Sequence, residues 1–252
     1  MDLARPSIAV LGASNVVLGL PELLAAARVA AGGPCDLLVA AGHGRSYGLP
    51  TRVLGRGLPS IRECGALDHL RAQGAGATSV HLAVADVGND IAYGVAPAEV
   101  LAWVEECLAA APPGATLSLG LPPIAAIESR SDRFLWLLRL LLFPSARHLP
   151  IHVLRQRLAE LDRGLRELAG AVDRLVEPEP EWYGWDPIHV RRRVRAAAWC
   201  RHLGTGPPVT GPGFADRMAW LARPARWSLF GLELSTRQPA RSLADGTRLW
   251  LC

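Results

Sequence analysis

Length, composition and charge already limit what the chain can be. It has 252 residues, 50% of them hydrophobic, and a formal net charge of +4 in a sequence without lysine. This is enough for one large α/β domain or two small ones, and a scattered arginine excess does not predict a nucleic-acid surface. The five cysteines are odd in number and form no Cys-x-x-Cys pair, which argues against a disulfide framework and against a zinc site.

No segment is expected to carry the chain into or across a membrane. The first predicted strand begins within about six residues of Met1, which leaves no room for a signal peptide, and free thiols fit a reducing compartment, so we expect a cytoplasmic protein. The most apolar run, 134–143, is interrupted by Arg139 and is shorter than the ~20 residues that span a bilayer. We interpret it as a helix that covers the sheet, with a lid or lipid-facing role as the alternative.

In chain order, the apolar runs predict five strands that alternate with helices. The strands are expected at 8–11, 36–41, 79–85, 115–121 and 171–176. The helices are expected at 21–31, 62–73, 97–111, 132–143, 151–168 and, starting at about 189 or 190, up to 203. This alternation predicts an α/β fold, a three-layer α/β/α sandwich around a mainly parallel five-stranded sheet.

The composition changes after residue 203. Glycine and proline are frequent at 204–213, and the apolar stretches 227–234 and 247–252 are separated by polar residues. We predict an α/β domain over 1–203 and a C-terminal extension over 204–252 that packs on the same domain, its two apolar stretches forming a β-hairpin. The extension either adds an edge to the domain or mediates homo-oligomer formation.

The first strand leads into a turn that presents a serine. Gly12 permits a tight turn, so Ser14 stands at the carboxyl end of the strand, where open α/β sheets bind their ligands. Alone, this pattern is also typical of a plain strand-to-helix connection with Ser14 or Asn15 as the N-cap. The loops further along the chain decide between the two interpretations.

Three of those loops hold groups suited to acyl chemistry. Gly42 and Gly44 follow the second strand, Val-Gly-Asn-Asp at 87–90 follows the third, and Asp186-Pro-Ile-His189 follows the fifth. A serine hydroxyl needs a base within hydrogen-bond reach, which His189 can supply. Asp186 lies three residues earlier, so its carboxylate can accept from the other imidazole nitrogen and select the tautomer.

The order and spacing of these four blocks resemble the SGNH hydrolase superfamily, the GDSL-like esterases and lipases, over residues 6–203. The resemblance implies a flavodoxin-like sandwich of the SGNH type and a catalytic triad. In that triad, Ser14 is the nucleophile, His189 the base and Asp186 the residue that orients it. It also implies an oxyanion hole made by the amides of Ser14 and Gly44 and the side chain of Asn89, with Gly42 as the alternative glycine.

Two blocks depart from the family pattern. The family has Gly-Asp-Ser where this chain has Gly12-Ala13-Ser14, so a carboxylate that would shape the turn is absent from position 13. The second block lacks the usual Asn-x-Gly arrangement. We interpret Asp90 as a buttress of its loop and expect it to take no part in the reaction.

The expected reaction is two-step hydrolysis of a carboxylic ester, an acyl ester of a small molecule, a sugar or a lipid, without metal or organic cofactor. Five side chains that border the proposed site are candidates for substrate binding: Arg45, Tyr47, Trp182, Tyr183 and Trp185. For the three residues at 182–185, aromatic packing of the loop is the alternative. A thioesterase or an acyltransferase would use the same triad. A catalytically silent binding protein is the alternative from another class, whereas the lack of Gly-x-Gly-x-x-Gly argues against a dinucleotide-binding domain.

Overall fold

The fold is organised around a seven-stranded sheet. The computed structural model describes residues 5–74, 76–143, 149–208 and 210–252. Its strands are β1 (Ser7–Leu11), β2 (Asp36–Ala40), β3 (Thr51–Val53), β4 (Arg56–Leu58), β5 (Val80–Val84), β6 (Thr116–Gly120), β7 (Arg174–Val176), β8 (Arg226–Leu229), β9 (Leu232–Ser235), β10 (Arg241–Ser242) and β11 (Arg248–Leu251). The large sheet has the order β10-β11-β2-β1-β5-β6-β7, and only the β10–β11 pair is antiparallel.

Helices cover both faces of this sheet. In chain order they are α1 (Ser14–Leu18), α2 (Leu20–Ala31), α3 (Ala66–Gly74), α4 (Asn89–Ala92), α5 (Pro97–Ala109), α6 (Ile124–Glu128), α7 (Asp132–Leu142), α8 (Ile151–Glu167), α9 (Arg195–Leu203) and α10 (Phe214–Arg217). Successive side chains of a strand point to opposite faces. Accordingly, Ile8 and Val10 pack in the core beneath α2 and α9, while Ala9 and Leu11 pack in the core beneath α3, α5 and α8.

The predicted three-layer α/β/α sandwich with a mainly parallel sheet is confirmed. All five predicted strands are present as β1, β2, β5, β6 and β7, and their spatial order is the flavodoxin-like one. The predicted number of strands is wrong, because the sheet has seven. The two additional strands, β10 and β11, come from the segment after residue 203.

The predicted pairing of 227–234 with 247–252 is also wrong. The first stretch contains a hairpin of its own, in which β8 pairs with β9 in an antiparallel manner. Phe230 and Gly231 form the two-residue turn with φ of 48° and 90°, the positive values that such tight hairpin turns require. This hairpin joins β3 and β4 in a separate four-stranded antiparallel sheet.

The last strand extends the large sheet. β11 lies parallel to β2, with Arg248 aligned to Asp36. The Arg248 guanidinium binds both oxygens of the Asp36 carboxylate at 2.7 and 2.6 Å, and Leu249 is fully buried. A buried side chain and a bidentate ion pair therefore fix β11 beside β2. In the predicted hairpin, this edge of β2 would have remained unpaired.

Two helices begin later than the sequence predicts. α3 starts at Ala66, and α9 starts at Arg195 because the preceding backbone is held elsewhere: the Val190 amide donates to Asn15 Oδ1 at 2.8 Å.

Among the described residues, no helix combines the length and the apolar character needed to cross a bilayer.

Candidate active site

The turn after β1 needs a glycine at its first position. A Cβ atom on Gly12 would lie 2.6 Å from Val16 Cγ2, which is too close, and 3.1 Å from the carbonyl oxygen of Ala85, which would have to shift by a few tenths of an ångström. The chain can therefore turn sharply at the end of β1 and begin α1 at Ser14. β1 borders both β2 and β5, so Ser14 lies at the point where strand order reverses, the usual ligand position in such sheets.

A carboxylate from the neighbouring strand shapes this turn. The parallel register aligns Leu11 with Val84, so Ala13 and Asp86, two residues further along, face each other. Asp86 Oδ2 accepts from the amides of Ala13 and Asn15 at 2.9 and 3.0 Å. The backbone of Asp86 has φ of 55°, a left-handed conformation that aspartate tolerates better than most residues.

Ser14, His189 and Asp186 form a continuous hydrogen-bonded chain. His189 Nε2 lies 2.9 Å from Ser14 Oγ, and His189 Nδ1 lies 2.5 Å from Asp186 Oδ2. An ionised carboxylate only accepts hydrogen bonds, so Nδ1 carries the proton and Nε2 accepts from the serine hydroxyl. The structure thus brings together three residues, of which Ser14 and His189 are 175 positions apart in the sequence.

The Asp186 carboxylate is held in its ionised form. Burial alone would raise its pKa, but hydrogen bonds from the His189 ring and from the Ile188 amide outweigh burial and lower the pKa below its usual range. Asp186 Oδ1 accepts from the amides of Ile188 and His189 at 3.0 and 3.3 Å. The same carboxylate therefore fixes both the ring and the backbone of His189.

Asn15 connects the serine turn to the histidine loop. Its Oδ1 accepts from the Val190 amide at 2.8 Å, and its Nδ2 donates to the Ile188 carbonyl at 2.9 Å. These two partners flank His189 in the sequence. Nδ2 also lies 2.8 Å from Asp86 Oδ1, so Asn15 and Asp86 form a polar bridge, hereafter the Asn15–Asp86 bridge, between strand β5, the Ser14 turn and the His189 loop.

Two of the predicted oxyanion residues border one cavity, and the loop that contains the other two is joined to Asn89. Ser14 and Asn89 line one cavity, and Asn89 Nδ2 donates to the Arg45 carbonyl at 3.3 Å, which joins Asn89 to the loop after β2. Gly44 in that loop has φ of 62°. Within the described part of the chain, the amides of Ser14, Gly42 and Gly44 donate to no carbonyl or side chain.

Two predicted substrate contacts are wrong, because Arg45 and Tyr47 are each 1% exposed. Arg45 donates to the carbonyls of Pro59, at 3.1 Å, and of Cys252. The Tyr47 hydroxyl lies 2.6 Å from the Ala85 carbonyl, at the end of β5, and burial raises its pKa well above the ordinary value. Both side chains brace the loop from inside the protein.

Asp90 supports the same loop. Its carboxylate accepts from the Ser46 hydroxyl and from the Tyr47 amide, the latter at 3.2 Å. Asp90 is fully buried, and burial raises its pKa to about 6 even though these hydrogen bonds oppose the shift. The interpretation of Asp90 as a buttress agrees with this geometry.

A cavity of about 150 Å³ lies beside Ser14. Of the three predicted aromatic contacts, Trp182 and Tyr183 are buried and line it. Trp185 is 71% exposed and lies outside the lining, with its ring 4.7 Å from that of Phe134. The structure therefore separates the aromatic cluster into two residues at the cavity and one at the surface.

Asp86 and the bridging role of Asn15 are not predicted from the sequence. Asp86 directly follows the third predicted strand and directly precedes the Val-Gly-Asn-Asp block. Its position opposite Ala13 could have been found by aligning the ends of the first and third strands as parallel neighbours. Among the described residues, no group of three or more His, Cys, Asp or Glu is placed to bind a metal ion.

Known proteins resemble this chain in structure and not in sequence. No family model and no curated protein sequence matches it. The solved structure of a member of the lipolytic protein G-D-S-L family from Veillonella parvula is similar over 79% of this chain and 97% of its own, with 11% identical residues and a TM-score of 0.44. A likeness at this level assigns no role to any residue of this chain.

Proposed function

We propose that the protein is a serine esterase that hydrolyses small carboxylic esters through an acyl-enzyme. The observation that carries the proposal is the unbroken chain from Ser14 Oγ through His189 to Asp186, with separations of 2.9 and 2.5 Å. Nucleophile, base and orienting acid at hydrogen-bond distance are the requirements for activating a serine.

Acylation proceeds by attack of Ser14 Oγ on the ester carbonyl carbon. His189 Nε2 takes the hydroxyl proton as the carbon–oxygen bond forms, and Asp186 stabilises the resulting imidazolium. The tetrahedral intermediate then collapses, the bond to the alcohol oxygen breaks, and His189 returns its proton to that oxygen. The alcohol leaves, and the acyl group remains on Ser14 as an ester.

Deacylation repeats these steps with water. His189 Nε2 removes a proton from the water as its oxygen attacks the acyl carbon, and then gives that proton to Ser14 Oγ as the acyl–serine bond breaks. A carboxylic acid is released and the serine hydroxyl is restored. No oxidant, reductant or cofactor enters this balance.

The negative charge on the carbonyl oxygen requires hydrogen-bond donors in both steps. We assign this role to the free amides of Ser14 and Gly44 and to the side chain of Asn89, with the Gly42 amide as the alternative. Such donors contribute most when the surrounding protein fixes them in advance. The Asp90 contacts with Ser46 and Tyr47 supply that support for the loop that contains Gly44.

The test is labelling with a fluorophosphonate probe and hydrolysis of p-nitrophenyl esters. We expect a covalent adduct on Ser14, located by peptide mass spectrometry, that disappears in Ser14→Ala and in His189→Ala. The kcat of Asp186→Asn should fall about 10⁴-fold, because the imidazole loses its fixed tautomer. An absence of both adduct and hydrolysis in folded protein would contradict the proposal and favour a silent binding protein.

Ser118→Ala is the matched control. Ser118 Oγ lies 2.8 Å from His202 Nδ1, so the chain contains a second serine–histidine pair, which is buried and whose His202 borders the cavity beside Ser14. This variant should keep both labelling and hydrolysis. Adding alcohols or thiols as competing acceptors, and comparing esters with thioesters, separates an esterase from an acyltransferase or a thioesterase.

A further inference from the structure

The cavity beside Ser14 begins where an acyl group would start. Ser14, Asn89 and Ile188 all line it, so it borders the proposed nucleophile, a proposed oxyanion donor and the residue before His189. From there it passes along the loops that follow β5, β6 and β7, between the ends of these strands and helices α7 and α8. A chain attached to a carbonyl at Ser14 can therefore enter it directly.

The cavity is suited to an apolar ligand. Many of the side chains that line it are hydrophobic and come from helices α6, α7 and α8, from strand β7 and from the loops around them, among them Ile127, Leu135, Leu138, Leu154, Leu158 and Val176. Apart from Ser14 and Asn89, which the proposed reaction uses, the charged side chains at its border already have partners in the protein, and a group with a partner gains little from a new one. An aliphatic chain meets no desolvated, unpartnered charge there.

The charged residues at the cavity border are each engaged by the backbone. Asp86 accepts from the Ser14 turn, as described above. The Arg139 guanidinium donates to the Leu149 carbonyl, and the Arg195 guanidinium donates to the Leu18 carbonyl at 2.6 Å. Each charged group at the border therefore already has a partner in the protein, and most of the lining offers dispersion contacts and apolar burial.

Its volume indicates the size of the apolar group that fits beside Ser14. A cavity of about 150 Å³ lined by Leu, Ile and Phe holds one benzene-sized molecule. We infer that, in the esterase proposed above, this cavity is the acyl-binding site, and that it takes saturated acyl chains of about four to six carbon atoms. The inference rests on the proposed function, because it assigns to the cavity the acyl part of that enzyme's substrate.

A series of p-nitrophenyl esters from acetate to decanoate tests the chain length. Each methylene buried in the cavity should raise kcat/KM about fourfold. We expect this rise up to butyrate or hexanoate and a fall from octanoate onward, where the chain exceeds the cavity. Varying the alcohol in ethyl, butyl and hexyl hexanoate should produce no such optimum. An optimum that follows the alcohol would overturn the assignment to the acyl group.

Two substitutions on α8 should shift the optimum in opposite directions. Leu154 and Leu158 lie one helical turn apart and both line the cavity. Leu158→Ala removes three carbon atoms from the cavity wall and should move the optimum toward octanoate. The kcat/KM for octanoate relative to butyrate should rise about tenfold. Leu154→Phe reduces the space and should move the optimum toward acetate or propionate.

Leu161→Ala is the matched control. Leu161 is a fully buried leucine of the same helix that does not line the cavity. This variant should lose stability without any change in the chain-length profile. If Leu158→Ala and Leu154→Phe also keep the wild-type profile while labelling with the fluorophosphonate at the wild-type rate, the acyl site is elsewhere.

Failure of the proposed function has a different signature. In that case Ser14 is not labelled and no ester is hydrolysed, whatever the acyl length. Binding of hexanoate to Ser14→Ala, measured by isothermal titration calorimetry, then tests the cavity alone. We expect binding that Leu154→Phe weakens at least tenfold, and an absence of binding would overturn the inference independently of catalysis.

Discussion

Breaking the Asn15–Asp86 bridge should slow the reaction without removing any reacting group. Asp86→Ala removes the carboxylate that accepts three hydrogen bonds, from the amides of Ala13 and Asn15 and from Asn15 Nδ2, at 2.8 to 3.0 Å. Asn15→Ala removes the link to both neighbours of His189. Both variants keep Ser14, His189 and Asp186.

The magnitude follows from these contacts. Hydrogen bonds to a charged group contribute about 1.5 to 3 kcal/mol each, and the lower value applies to Asp86 because it is half-buried and water can replace part of the loss. Asp86→Ala should therefore lower the free energy of unfolding by about 4 kcal/mol. A misplacement of about 1 Å between Ser14 and His189 costs about 10²-fold, so we expect kcat to fall by that factor while KM changes little.

The assay is a double-mutant cycle on kcat, with urea unfolding of each variant. The two single variants share the bond between Asn15 Nδ2 and Asp86 Oδ1, so the double variant should lose about tenfold less than the product of the single losses. Asp216→Ala is the control, because Asp216 is buried and binds Arg28 at 2.9 Å. It should lose stability and keep kcat. Single variants with kcat within threefold of wild type would refute the positioning role.

Two further predictions concern the oxyanion donor and the buried titrating groups. Asn89→Ala should lower kcat by about 10² to 10³-fold with little change in KM, measured on the preferred ester. Burial raises the pKa of Asp90 to about 6 and lowers the pKa of His202 to about 4, so raising the pH from 4 to 7 removes stability through Asp90 and adds it through His202. Between pH 4 and pH 7, the free energy of unfolding of Asp90→Asn should increase by about 3 kcal/mol relative to wild type, and that of His202→Gln should decrease by about 3 kcal/mol, both measured with urea. Variants whose pH profiles run parallel to that of wild type would contradict both assignments.

The central sheet could be predicted because buried parallel strands leave a direct trace in the sequence. Ser7–Leu11 is buried along its whole length, and such a strand needs an apolar side chain at almost every position. The same reasoning identifies the strands that precede Asp86 and the loop of Gly42. Since parallel strands end at the same edge of a sheet, the sequence also predicts which loops meet Ser14.

The errors arise where pairing or burial depends on distant parts of the chain. Nothing local distinguishes a β11 that pairs with β2 from one that pairs with its own neighbour, and the Arg248–Asp36 ion pair joins residues 212 positions apart. Arginine is usually found at the surface, yet the Arg45 guanidinium is buried and donates to carbonyls of other segments. Burial of this kind becomes visible only in three dimensions.

Asp86 supplies to the Ser14 turn the carboxylate that position 13 lacks. In the family that the motifs resemble, aspartate precedes the serine, whereas here Ala13 has no carboxylate and Asp86 supplies one from the adjacent strand. Asp86 lies three residues before Asn89, so one short segment both holds the serine turn and presents the proposed oxyanion donor. Because that segment also binds Asn15, which holds both neighbours of His189, a single connected network positions the proposed nucleophile, the proposed base and the proposed oxyanion donor relative to one another.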